Sequence, residues 1–183
     1  MTNEQSSNGT TNQQERLMNL AWLAGFFEGE GSVSLVQGSG NRIMPRVHII
    51  NSDWELMEEW SKCWKELGVG NYVQLRKVYD PLKHKQTKQV LICGVKRVNN
   101  FCKLLRPFLR GHKLEVLKVV EEYTDYRLSL PNGAHGAKYG TLDYEYRDRV
   151  RALNKKGPLE SSETTRQPSL VASEDIVQAV QPA

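Results

Sequence analysis

The sequence predicts an α+β fold in the order α-β-β-α-β-β-α, with further helices after that core. Three observations carry the prediction. Apolar residues recur at helical spacing across residues 15–27, 53–67 and 98–108. Two stretches of period-two alternation each double back across a turn containing Gly and Asn, or Asp and Pro. Between the first helix and the first strand, at Gly29-Glu30-Gly31, the period changes abruptly from 3.6 to 2. A length of 183 residues suits one domain, and a hydrophobic content of 39% supplies its core.

In chain order, residues 1–14 hold no apolar side chain after Met1 and are expected to be disordered. In residues 15–27, Leu17, Leu20, Ala21, Ala24 and Phe27 or Glu28 follow helical spacing. Val33 and Leu35 then alternate with Ser32, Ser34 and Val36 in a strand over residues 32–37. Gly38-Ser39-Gly40-Asn41 turns the chain into a second strand over residues 42–50. One side of that strand is Ile43, Pro45, Val47 and Ile49, a core set apart from the proline. The other is Arg42, Met44, Arg46 and His48, too basic for a core and free to meet a ligand. Asn51-Ser52-Asp53 ends the strand and caps a helix that carries Met57, Trp60, Trp64 and Leu67 on one face and stops at Gly68. Its tryptophans are read as core.

A strand over residues 72–79 alternates Val73 and Leu75 with Tyr72, Gln74 and Arg76. Its return, over residues 87–95, sets Lys88, Val90 and Ile92 against Thr87, Gln89 and Leu91, so Lys88 belongs near a strand end. Val98, Phe101, Leu104 and Phe108 mark a helix stopped by Pro107 and Gly111, and further helices are expected over residues 113–128 and 142–153. The folded domain therefore spans residues 15–154. Residues 155–183 are rich in Gly, Pro, Ser and Thr and read as a flexible extension, with one short helix opening at Ser173.

The overall charge of +4 is mild, but residues 71–118 hold twelve Lys/Arg against two Asp/Glu, a local +10 that leaves −6 for the rest. A basic middle of that size argues for a polyanionic partner, nucleic acid first. Cys63, Cys93 and Cys102 show no CxxC spacing, which disfavours a zinc site and fits reduced thiols. No apolar run approaches a membrane span, and the N-terminus lacks the layout of a signal peptide. The expected setting is intracellular, either cytoplasm or an organelle matrix.

The stretch Leu23-Ala24-Gly25-Phe26-Phe27-Glu28-Gly29-Glu30-Gly31-Ser32 is where the charge and the fold meet. A helix with a small-residue face lets a second helix come close. Two such helices would bring their C-terminal carboxylates together, at ends whose dipoles add negative potential and suit divalent cations. This string resembles the signature of the LAGLIDADG homing endonuclease family. Leu23, Ala24 and Gly25 match letter for letter, Phe26 and Phe27 take the apolar places, and Gly31 closes the motif. Glu28 and Glu30 stand at the two acidic places, where the family carries Asp. The charge is kept on a longer arm. The similarity extends over residues 20–153, including Leu67-Gly68-Val69-Gly70 and Pro107-Phe108-Leu109.

The resemblance implies an αββαββα core whose four-stranded antiparallel sheet forms a curved saddle along the DNA major groove. One motif copy implies a homodimer packed through Leu20, Leu23, Ala24 and Gly25, on a long pseudo-palindromic double-stranded DNA target. Both strands would be cut with Mg²⁺, and other divalent cations such as Mn²⁺ or Ca²⁺ can occupy its site. Glu30 and the Gly29 carbonyl are the implied metal ligands, with Glu28 as a supporting acid. A polar helper after the second strand falls on Asn51 or Ser52, and a basic one after the third helix on His112 or Lys113. The alternation predicts Ser32, Ser34, Arg42, Arg46, His48, Tyr72, Gln74, Arg76, Thr87 and Gln89 as DNA contacts, and Lys155 and Lys156 as backbone braces. The same family also contains intron maturases that assist RNA splicing, and a DNA-binding regulator with inactive acids would share the fold.

Overall fold

A computed structural model describes residues 7–77, 85–131 and 137–155 of the chain. Helix α1 (Ser7–Glu30) runs directly into strand β1 (Gly31–Gln37). A 3-10 turn (Ser39–Asn41) leads to β2 (Ile43–Asn51), followed by α2 (Trp54–Glu66), β3 (Tyr72–Leu75) and β4 (Lys88–Cys93). Helix α3 (Val95–Leu105), a second 3-10 turn (Arg106–Phe108), α4 (Gly111–Ser129) and α5 (Thr141–Asn154) complete the fold. The four strands form one antiparallel sheet in the order β1-β2-β4-β3.

Helices cover one face of this sheet. Val33, Leu35, Ile43, Val47, Ile49, Val90 and Ile92 are buried beneath them. Two aromatic contacts lock the helices together: Phe27 of α1 meets Phe101 of α3 edge-on at 5.3 Å, and Trp64 of α2 lies 4.6 Å from Phe101, with Trp60 of the same helix 5.6 Å from Trp64. The reading of these two tryptophans as core holds. Pro45 sits on the core side without cost to the sheet. The β2–β4 ladder runs from Arg46 to Asn51, so Pro45 lies beyond its end and its missing N–H is not required there.

Several boundaries differ from the sequence expectation. Helix α1 begins at Ser7, so residues 7–14 are helical rather than disordered. Once Leu20, Leu23 and Phe27 fix the helix, each added turn at its N-terminus costs little. Strand β3 ends at Leu75, although the Arg76 N–H still donates to the Thr87 carbonyl at 3.0 Å. Strand β4 stops at Cys93 because Gly94 takes φ +95° and opens α3 three residues earlier than predicted. Asp53 caps α2 as expected, its carboxylate accepting from the Leu56 N–H at 3.0 Å. Lys88 stands at the start of β4 and pairs with Glu58 of α2 at 2.6 Å. Residues 156–183, with Lys156 and the helix expected at Ser173, lie outside the described residues.

The C-terminal helices fasten the sheet at its β1 side. Tyr144 donates to the Asn41 carbonyl (3.2 Å), Arg147 to the Gln37 side chain (2.7 Å) and Asn154 to the Val33 carbonyl (3.0 Å). Between α4 and α5, Arg127 and Asp143 form a fully buried ion pair at 3.3 Å. The Arg127 guanidinium also donates to the Ala137 and Lys138 carbonyls and lies 4.1 Å from the Tyr139 ring centre.

Candidate active site and nucleic-acid interface

The end of α1 is built by close approach. A side chain at Gly31 would penetrate the Phe27 ring, so the helix can pass into β1 only over glycine. Two reciprocal contacts then tie this end to the start of α4. Lys113 donates to the carbonyls of Phe27 (2.7 Å) and Glu28, while the Glu28 carboxylate accepts the Arg110 N–H at 3.2 Å. A cation thus meets the negative end of one helix and an anion the positive end of another. The Glu28 side chain thus bridges the end of α1 and the start of α4.

Glu30 remains exposed at the tip. Lys113 is half-buried, and burial pulls its ammonium below the usual lysine range, while the Glu28 and Glu30 carboxylates act in the opposite direction. Of the two basic candidates, Lys113 is therefore the one joined to the motif helix. His112 is exposed one residue earlier. Of the two polar candidates, Asn51 is the last residue of β2 and accepts the Asp53 N–H at 2.9 Å, whereas Ser52 is exposed. Both follow Ile49, which pairs with Gly31, so they stand at the same end of the sheet as Glu30.

The strand registers place the expected DNA contacts on one face. Ser32 and Ser34 face His48 and Arg46 across β1–β2. His48 faces Leu91 across β2–β4, and Leu91 faces Tyr72 across β3–β4. Gln89 and Gln74 form the next rung, and Arg42, Arg76 and Thr87 continue the same alternation. All ten residues lie on the side away from the helices. The Ser32 hydroxyl and His48 Nε2 are 2.9 Å apart, and Arg97 donates to the Tyr72 hydroxyl at 2.9 Å. His48 is held below its ordinary range by partial burial first, then by the Arg46 and Arg76 charges. Lys155 is exposed just after α5, beside β1.

Of the four expected interface residues, Gly25 alone lies on the open side of α1. Leu20, Leu23 and Ala24 are buried in this chain's own core. The outward strip instead runs through Met18 (65% exposed), Ala21, Gly25 and Gly29, with Trp22 at its margin. A Cβ placed at Gly25 or Gly29 would meet nothing within 4 Å. Both sides of this helix are rich in apolar or small residues, so spacing did not distinguish the side facing in. Val36, Met44 and Leu91 share the open sheet face on which the alternation put them, but the expected DNA contacts were chosen among its other residues, all of them polar.

A family described as a LAGLIDADG-like domain matches residues 18–106, from within α1 to the end of α3. Those residues of the chain carry a LAGLIDADG-like domain. Among solved structures, its fold is similar to the homing endonuclease I-CvuI in complex with the I-CreI target in 2 mM Mg. There the TM-score is 0.57 at 16% identity, covering 77% of this chain and 85% of that one. The archaeal intron-encoded homing endonuclease I-Vdi141I complexed with DNA gives a TM-score of 0.56 at 16% identity, covering 76% and 86%. The I-SmaMI LAGLIDADG homing endonuclease bound to cleaved DNA gives 0.55 at 15%, covering 78% of this chain but 45% of that longer one. At these identities the likeness is one of fold. No curated protein matches the chain. No described helix of this chain is long and apolar enough to cross a membrane.

Proposed function

We propose that this LAGLIDADG protein is a site-specific DNA endonuclease that acts as a homodimer and cuts both strands of a long pseudo-palindromic duplex. The observation that carries this reading is the exposed Glu30 carboxylate at one end of an open basic sheet face, on a helix end that the Lys113 ammonium clamps through the Phe27 and Glu28 carbonyls. The similar folds described above include endonucleases bound to DNA, which supports the same reading.

The open face carries arginines, glutamines and a histidine on an antiparallel sheet, the residue types that read base edges in the major groove. The outward strip of Met18, Ala21, Gly25 and Gly29 lets the α1 helix of a second copy approach closely. Two copies would then bring their Glu30 carboxylates together on the twofold axis. A divalent cation fits this donor set, since a carboxylate and the Gly29 carbonyl are hard oxygen ligands at the negative end of a helix. Among the described residues no three candidate ligands cluster in one chain, so the second copy would complete the site. When bound, Mg²⁺ lowers the pKa of the attacking water and neutralises charge on the phosphate. Lys113 adds positive charge where the phosphate arrives, and Asn51 or Ser52 can orient the water.

The test is a cleavage selection on a library of long duplexes in Mg²⁺, with EDTA and Glu30→Gln as controls. The expected result is a symmetric site cut on both strands, with cutting lost in EDTA and in the variant while binding persists. Cleavage by Glu30→Gln at the normal rate would overturn the metal assignment. Binding without cutting would favour the regulator, and splicing of an intron RNA would favour the maturase.

A further inference from the structure

The residues expected to read DNA are all polar, yet the open sheet face carries an apolar pair at its far end. Val36 of β1 and Met44 of β2 are direct cross-strand partners. Their immediate neighbours Leu35, Ile43 and Pro45 point to the core, so the pair points away from it. Met44 is 38% exposed, and its methyl group folds over Gly38, where an added Cβ would lie 2.5 Å from it. The next open-side residues on β2 are Arg42 before it and Arg46 after it, and Arg147 of α5 reaches Gln37 beside Val36. Two apolar side chains between the Arg42 and Arg46 guanidinium groups make a poor seat for a lipid or an apolar protein surface. They suit a small apolar group embedded in a polyanion. In duplex DNA that group is the C5-methyl of thymine, which projects into the major groove.

Resting on the endonuclease reading above, we propose that Val36 and Met44 read a thymine methyl group in the outer part of each half-site. From Ser32 to Val36 the strand advances four residues, about 13 Å, or about four base pairs at the spacing of stacked bases. The thymine therefore stands about four base pairs outward from the pair that faces Ser32 and His48. A thioether and a branched aliphatic group supply contact without a hydrogen bond, so the methyl itself is what they recognise.

The experiment selects bound duplexes from a library and then replaces each thymine of the selected target with deoxyuridine, which removes the methyl alone. The expected result is one symmetric pair of positions where each lost methyl weakens binding about fourfold, or about fifteenfold for both. Met44→Gln and Val36→Thr, checked for unchanged unfolding temperature, should weaken binding to the thymine duplex and abolish the uracil penalty there. A target lacking thymine in that region, a flat uracil scan, or a penalty unchanged in both variants overturns the proposal. Selection of no duplex at all would instead overturn the endonuclease reading on which it rests.

Discussion

Arg127–Asp143 and Lys113–Glu28–Glu30 are built from the same chemistry and sit in opposite circumstances. The first pair is fully buried, and the guanidinium meets a carboxylate, two carbonyls and a ring face of its own chain. In the second cluster, Lys113 and Glu28 each hold a helix end, while Glu30 stands exposed beside them. Charge whose partners all lie in the chain fixes structure. Charge left facing solvent at a rigid junction can serve a ligand. The two clusters should therefore separate cleanly when stability and DNA cleavage are measured on the same variants.

The largest loss of stability belongs to the sealed pair. Arg127→Met should destabilise the fold by about 3–5 kcal/mol, because it strands a buried carboxylate. Arg127→Met with Asp143→Leu should recover much of that loss, and chemical denaturation measures both. Gly31→Ala comes next, at about 1–3 kcal/mol, since its methyl must displace the Phe27 ring. A normal unfolding midpoint in that variant would break the account of the junction.

His48 gives a smaller, pH-dependent effect. Its folded pKa lies below the ordinary 6.5, so as pH falls through 6.5 the unfolded chain takes up a proton first. Stability should fall between pH 7 and pH 5, and His48→Gln should flatten that slope. Equal slopes in both proteins would remove His48 from the explanation. The smallest change in stability is expected for Glu30→Gln, within about 0.5 kcal/mol, although this variant should lose cleavage. A large destabilisation would place Glu30 with the sealed group.

The order of the elements, the two-sided strands and the Asp53 cap were legible because each depends on residues near in sequence. Alternation alone assigned Arg46 and His48 to one side and Val47 and Ile49 to the other, and the registers agree. What could not be read locally was the inward side of α1, because Leu23 and Gly25 satisfy the same spacing rules and the aromatic partners of Phe27 decide between them. The start of α1 was missed for a related reason: a polar helix extending from the core carries no amphipathic signal. The clamp between Lys113 and the end of α1 joins residues 85 and 86 positions apart, beyond the reach of any periodicity.

The bond from Asn154 to the Val33 carbonyl bears on how the molecule stays separate from its neighbours. Strand β1 is the longer of the two sheet margins, seven residues against four in β3, and an uncovered margin of that length invites pairing with another chain. Helix α5 lies against it and closes that route with Tyr144, Arg147 and Asn154. Helix α5 is thus a guard against aggregation, and a chain cut ahead of Thr141 would keep its motif, its acids and its reading face yet tend to leave solution.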